Sequence, residues 1–410
     1  MSTTHLVAPN GLSRDKRISI GFLNWAHALD HYVMLIFPTV VIGLEAVYGR
    51  SYGELIGLAT ASFVAFGVFS LPAGWLADRW SRRNIMAVFF IGCGVALLFA
   101  GASSGIYPLA VSLAALGMFA AIYHPVGMAM LIDLSQARGR VLAFNGVCGN
   151  LGAALAAGIS AFIAFYFGWR MAFMVPGAVC IVTGFVYLWF VADDGHRTKT
   201  RVAVPEIRLD RRTSIVMFGL FVLIALGAGL TFNVISISLP KLIDERAAHE
   251  INLMLVGSLA TGIFIVGALA QLVMGRLVER IAPTILLATI TAILFAGVTW
   301  AAYASGIALI AALSVAMTGI YGQTTVNDVV LARYTADAWR GRVYAVRYFL
   351  VFMSSGMAVA AIAYLHLRGG FDLVLLITAG VSFVFFAATM GVAWLAAAPK
   401  DEQRVSMPAE

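Results

Sequence analysis

The chain contains twelve stretches of about 20 predominantly apolar residues, near 18–46, 52–77, 84–103, 106–132, 140–166, 170–192, 213–240, 250–274, 282–303, 306–332, 342–366 and 371–397. A run of that length is what an α-helix needs to cross the hydrocarbon of a bilayer. Composition agrees. Charged residues make up only 11% of the chain, against about 25% in an ordinary soluble domain. So few charges cannot cover a water-facing surface of this size, so lipid must cover much of it. The expected fold class is an all-α membrane protein of twelve transmembrane helices.

The twelve stretches divide six and six, and short motifs repeat at half the chain length. Arg138-Gly139-Arg140-Val141 recurs 202 residues later as Arg340-Gly341-Arg342-Val343. Gly74-x-Leu76-x-Asp78-Arg79 recurs at an offset of 201 as Gly275-x-Leu277-x-Glu279-Arg280, and Pro38 and Pro240 are also 202 apart. One design used twice in an apolar chain points to a transporter with its site between the halves. The expected organisation is a six-helix bundle over 1–192, a polar cytoplasmic linker over 193–212 and a second six-helix bundle over 213–410. The segments 1–16 and 399–410 read as tails.

The net charge of +7 is a topology signal rather than a nucleic-acid footprint. Of the 27 Lys and Arg residues, 21 fall on one side if both termini share it, five on the other and one, Arg347, inside a span. That asymmetry puts both termini in the cytoplasm. The polar first 17 residues hold no apolar core of a cleaved signal. Cys93, Cys148 and Cys180 fall inside spans and read as small buried hydrophobes, not as a disulfide or zinc framework.

Ionisable residues inside the spans are the candidate site. His27, Asp30 and His31 lie three and four residues apart, on one helical face. An Asp at membrane depth costs roughly 2.5–3.5 kcal/mol on insertion scales, so this face should turn to a water-filled cavity. Three readings fit it. Asp30 can carry a proton with His27 or His31 as relay; the groups can form a structural hydrogen-bond network; or two imidazoles and a carboxylate can transiently take a divalent ion. No resident metal or cofactor is expected. Tyr123-His124-Pro125 adds a His beside a proline kink, where a polar group can enter the cavity. In the second half, Tyr321, Gln323, Thr324 and Asn327, with Asn233, can hydrogen-bond a solute. Arg347 needs a partner if buried. That partner is Asp328, an anionic solute suited to guanidinium, or each in turn. By the offset, Arg347 corresponds to Asn145. Gly146, Gly149, Gly152 and Gly158 suit close helix packing.

The run Gly74-Trp75-Leu76-Ala77-Asp78-Arg79-Trp80-Ser81-Arg82-Arg83 resembles the loop signature of the major facilitator superfamily, with Ser81 in place of its second glycine. The likeness extends over essentially the whole chain, and 275–280 is the degenerate second copy. Within the superfamily, His27-x-x-Asp30 with Pro38, Tyr123-His124-Pro125 and Gly149-Asn150-x-Gly152 look closest to the fosmidomycin-resistance-like efflux branch. The resemblance implies two bundles around a central cavity lined by spans one, four, seven and ten, and alternating access. It implies a cytoplasmic gate at Gly74, Asp78, Arg79, Arg82 and Arg83. Ala153-Ala154-Leu155-Ala156-Ala157 lacks the Gly-Pro pair that drug–proton antiporters of the superfamily often carry there. The expected function is proton-coupled efflux of a small organic, anionic solute or drug across the inner membrane by a monomer. Uptake by symport, divalent-metal export, a channel and a non-transporting sensor are the alternatives. The partners are solute, protons and the lipid bilayer, not nucleic acid. No phosphate-binding loop is present, and no enzyme activity is expected.

Overall fold

A computed structural model of the protein describes residues 13–135, 139–193, 211–247, 251–335 and 337–397. The basic motif at 138–141, the linker expected at 193–212 and the two tails lie wholly or partly outside these residues. Every regular element among the described residues is helical: α1 Arg14–Tyr48, α2 Tyr52–Ile56, α3 Thr60–Arg79, α4 Arg82–Ala102, α5 Ile106–Ala120, α6 Met128–Ser135, α7 Gly139–Phe167, α8 Trp169–Phe190, α9 Arg211–Arg246, α10 Leu253–Leu277, α11 Pro283–Tyr303, α12 Gly306–Arg333 and α13 Asp337–Ala397. A helix satisfies its own backbone groups, which hydrocarbon cannot do. Among the described residues, eleven helical stretches are long and apolar enough to cross a membrane.

The expected spans at 342–366 and 371–397 fall in one element. α13 contains a 52-residue apolar stretch, Val346–Ala397, much longer than the roughly 20 residues one crossing takes. Its backbone leaves helical geometry at Gly369 and Gly370, the latter at φ 59°. A positive φ is a conformation glycine adopts without the cost other residues meet.

Helix ends are set locally. The Ser13 hydroxyl accepts from the Lys16 N–H at the start of α1, and Gly49 ends that helix at φ 60°. Ser51 and Glu54 form a capping box at α2, and Pro283 takes the first turn of α11, where a missing N–H does no harm. Apolar side chains face both ways. Phe37, Phe90, Phe173 and Phe385 are buried, while Trp189 is 85% and Ile307 89% exposed, as expected where lipid is the solvent.

Packing places the site. α1 lies along α7, α4 along α8, α9 along α13 and α11 along α12. A Cβ on Gly152 would stand 2.0 Å from the Ala28 carbonyl oxygen, so α1 and α7 meet backbone to backbone. Among the described residues, two of the seams between the halves of the chain carry hydrogen bonds to backbone carbonyls. In one, the Thr261 hydroxyl of α10 donates to the Ala154 carbonyl of α7 at 2.7 Å, and Asn150 Nδ2 donates to Gln271 Oε1 at 2.5 Å. In the other, Ser355 of α13 reaches the Phe63 carbonyl of α3 at 3.3 Å.

Candidate functional site

Pro125 has no N–H, and its ring would crowd the carbonyl four residues back. The chain answers with a π-helical turn over Tyr123–Gly127, between α5 and α6. Such wide turns recur at functional sites. Here the turn aims Tyr123 and His124 at the face of α1 that carries His27, Asp30 and His31.

The four expected residues meet. Asp30 is 1% exposed, and its Oδ2 lies 3.3 Å from His124 Nε2. The other oxygen, Oδ1, is buried with no hydrogen-bond partner among the described residues. The His27 ring stacks on Tyr123 at 4.7 Å and stands 5.0 Å from the His31 ring and 5.5 Å from that of His124. His31 and His124 are 5.7 Å apart, edge to face. Asn145 of α7 organises one side. His27 Nδ1 donates to its backbone oxygen at 2.8 Å and to its Oδ1 at 2.9 Å, and Tyr123 OH donates to the same Oδ1 at 3.0 Å. Asn145 Nδ2 donates to the Leu23 carbonyl and to Asn24 Oδ1. A carbonyl only accepts, so His27 carries a proton on Nδ1, and in the neutral ring Nε2 is the bare nitrogen.

The second-half groups form a separate, charged cluster. Arg347 and Asp328 pair directly. Tyr344 donates to the Asp328 carbonyl at 3.1 Å, and the Arg347 guanidinium lies 5.9 Å from the Tyr344 ring and 5.7 Å from that of Tyr348. Arg347 Nε is buried without a hydrogen-bond partner among the described residues. Phe352 links the clusters: its ring is 6.1 Å from Tyr348 and 5.4 Å from His124. The remaining expected binders are tied elsewhere. Gln323 donates to the Ile320 carbonyl, Asn327 to Gln323, Thr324 to the Ile320 carbonyl and Asn233 to the Gly229 carbonyl. Tyr321 packs on Phe232 and Phe264 with its buried hydroxyl unpartnered among the described residues.

At the expected gate, Arg82 bridges Asp78 at 3.1 Å and Asp133 at 2.7 Å. Arg79 lies over the Trp75 ring, and Arg83 donates to the Leu188 and Val191 carbonyls. A Cβ on Gly74 would stand in ordinary contact with Pro125, at 3.4 Å. Sequence reasoning missed Asp133 and the hub role of Asn145. It also missed a second ionic cluster. Buried Lys241 of α9 pairs with Glu45 of α1 and with Asp244 and Glu245, and Glu245 meets His366 of α13 at 3.3 Å. The spacing of Lys241, Asp244 and Glu245 was the available signal, since three and four residues apart share a helix face.

The sequence profile described as Major Facilitator Superfamily matches residues 20–248. A membrane sensor protein, UhpC of Salmonella typhimurium, is 30% identical over 33% of this chain and 31% of its own length. The puromycin resistance protein pur8 of Streptomyces alboniger is 32% identical over 37% of this chain and 31% of its own length. The chain thus spans about a third of the length of these relatives. A crystal structure of a bacterial homologue of the human lysosomal transporter Spinster, inward-facing and occupied, superposes with a TM-score of 0.71 at 14% identity, covering 94% of this chain and 96% of that one. At that identity the likeness speaks to the fold.

Proposed function

The chain belongs to the Major Facilitator Superfamily, and from that premise we propose that it is a secondary transporter of a small organic solute, working by alternating access rather than as an enzyme. One observation carries the reading. Polar groups of both halves converge inside an apolar helical body, His124 of the first reaching Arg347 of the second through Phe352 and Tyr348. A fixed guanidinium at that depth suits a carboxylate or phosphate, so the solute class is anionic. Asp328 holds Arg347 when solute does not.

In this reading the break at Gly369 and Gly370 is the turn between the eleventh and twelfth crossings. The helices then form two six-helix bundles around one cavity, with 193–212 as the cytoplasmic linker and both termini in the cytoplasm of a monomer in the inner membrane. The Asp78–Arg82 cluster and the Lys241 cluster close opposite ends of the cavity in turn. Transport is efflux driven by the proton gradient, in the fosmidomycin-resistance-like branch. The likeness to a drug-resistance protein supports that direction.

The test is flux in proteoliposomes under an imposed pH gradient, with a panel of organic anions and drugs, comparing wild type with Arg347→Gln. Gradient-driven anion flux that the substitution abolishes is the expected result. Flux indifferent to both gradient and substitution would overturn the reading, and reversing the gradient separates efflux from uptake. The likeness to a membrane sensor supports a second reading, a sensor, which predicts solute binding without flux.

A further inference from the structure

We propose that His27, His31 and His124 form a binding site for one divalent first-row transition-metal ion. The ligand nitrogens of the three imidazoles lie within 4.8 Å of one another. Around an ion held at the usual metal–nitrogen distance of about 2.0–2.1 Å, such atoms stand somewhat over 3 Å apart, so modest ring rotations complete the site. The three come from two elements that packing already holds together, α1 and the π-helical turn.

The surroundings are those a metal-ligating imidazole uses. An imidazole that binds metal through one nitrogen gives its other N–H to a carbonyl or carboxylate, which fixes tautomer and ring orientation. His27 does this through Nδ1 to the Asn145 carbonyl at 2.8 Å, leaving Nε2 as the donor. His124 Nε2 faces Asp30 Oδ2 at 3.3 Å, a carboxylate placed to take that N–H and leave Nδ1 to the ion. Charge points the same way. Asp30 is buried, and among the described residues its ion-pair partner is a histidine rather than a Lys or Arg. Its second oxygen is buried and unpartnered. A divalent cation on the imidazoles supplies the positive charge this carboxylate lacks. Imidazole selects zinc, cobalt, nickel or copper over magnesium or calcium.

Metal binding in itself needs no transport reaction. Its use, as cargo or as a bridge between cavity and an anionic solute, rests on the transporter reading above. The experiment separates the two by measuring binding directly. Full-length protein carrying no polyhistidine tag is stripped with chelator in detergent and titrated with Co²⁺, with the visible absorption band and the bound-metal content both recorded. The expected result is one equivalent bound by wild type, at least about tenfold weaker binding in His31→Ala and His124→Ala, and about 10–100-fold weaker binding in Asp30→Asn as an orienting partner. His366→Gln, outside the cluster, should bind like wild type. Thermal unfolding of each variant identifies misfolded protein, and His31→Gln serves if the alanine variant fails to fold. No stoichiometric Co²⁺ binding, or binding that the cluster variants leave unchanged, would overturn the site. Co²⁺ bound but not carried across liposomes, with anion flux intact, keeps the site and excludes it as the cargo position.

Discussion

Asn145 and Arg347 stand 202 residues apart, the offset at which the sequence motifs repeat, and are surrounded in opposite ways. Asn145 is fully buried and its amide is satisfied on both sides by His27, Tyr123, Asn24 and Leu23. Arg347 holds one carboxylate and two tyrosine faces, with Nε left unpartnered among the described residues. The same contrast appears in volume. In the first half the His27 ring lies against Gly149. The positions at the same sequence offset in the second half, Gly229 and Val351, meet differently: a Cβ on Gly229 would first strike the Ser354 hydroxyl at 2.1 Å and then the Val351 backbone at 3.3 Å. Around Asn145 the first half holds a satisfied hydrogen-bond network with an imidazole, and the second half holds a charge with few partners. A network that is fully satisfied rigidifies, whereas a largely buried charge with an incomplete shell can change partners.

The largest expected effect breaks the network. Asn145→Leu leaves the Tyr123 hydroxyl and the Asn24 amide without their partner. Each buried polar group so stranded costs roughly 1–3 kcal/mol, so a loss of about 3 kcal/mol is expected in denaturant or thermal unfolding of the detergent-solubilised protein. Arg347→Leu combined with Asp328→Asn should cost less, because the Asp328 side chain is 46% exposed and can hydrate. Equal losses at the two positions would show that the halves do not differ as described.

The contact between His27 and Gly149 gives the next test. Gly149→Val puts a branched side chain into the space of the His27 ring, where even a Cβ would fall 2.6 Å from Nε2. Overpacking of this kind costs roughly 1–3 kcal/mol. Adding His27→Gly, which empties that space, should recover a large part of that loss, since residues in contact do not act additively. A double variant as unstable as the sum of the singles would refute the contact.

Arg347 tests function rather than folding. Arg347→Lys keeps the charge but loses the planar fork. A drop in anion flux of about tenfold, equivalent to about 1.4 kcal/mol, is expected with little change in unfolding. Full activity in the lysine variant would mean that charge alone suffices and that Arg347 does not grip the solute.

Much of this was legible in the sequence for reasons that can be named. The helices follow from apolar length. The shared face of His27, Asp30 and His31 follows from the 3.6-residue period, and its inward orientation from the cost of burying charge. Pro125 announced a deformed helix beside His124. What stayed hidden depends on partners far along the chain. The residues Asn145 binds on α1 lie 118–122 positions away, and Glu45 lies 196 from Lys241. An Asn among small residues carries no mark of being a hub. Gln323 and Asn327, polar in a span, bond within their own helix, a pairing their spacing of three and four residues allows.

The smallest expected effect isolates what the glycines of α7 do. Gly146 and Gly149 lie one turn apart on one helix, and a purely sequence-based reading treats them alike as packing positions. Their surroundings differ. A Cβ at Gly146 would meet nothing within 4 Å, while one at Gly149 meets the His27 ring. Glycine inside a helix costs roughly 0.5–1 kcal/mol relative to alanine because it must give up more backbone freedom. Gly146→Ala should therefore be neutral or stabilise by up to that amount, and Gly149→Ala should destabilise despite the same propensity gain. The difference between the two unfolding free energies measures the steric cost of admitting His27, free of the helix-propensity term they share. If both substitutions stabilise equally, the ring does not lie against Gly149, and the contrast drawn between the halves loses its steric basis.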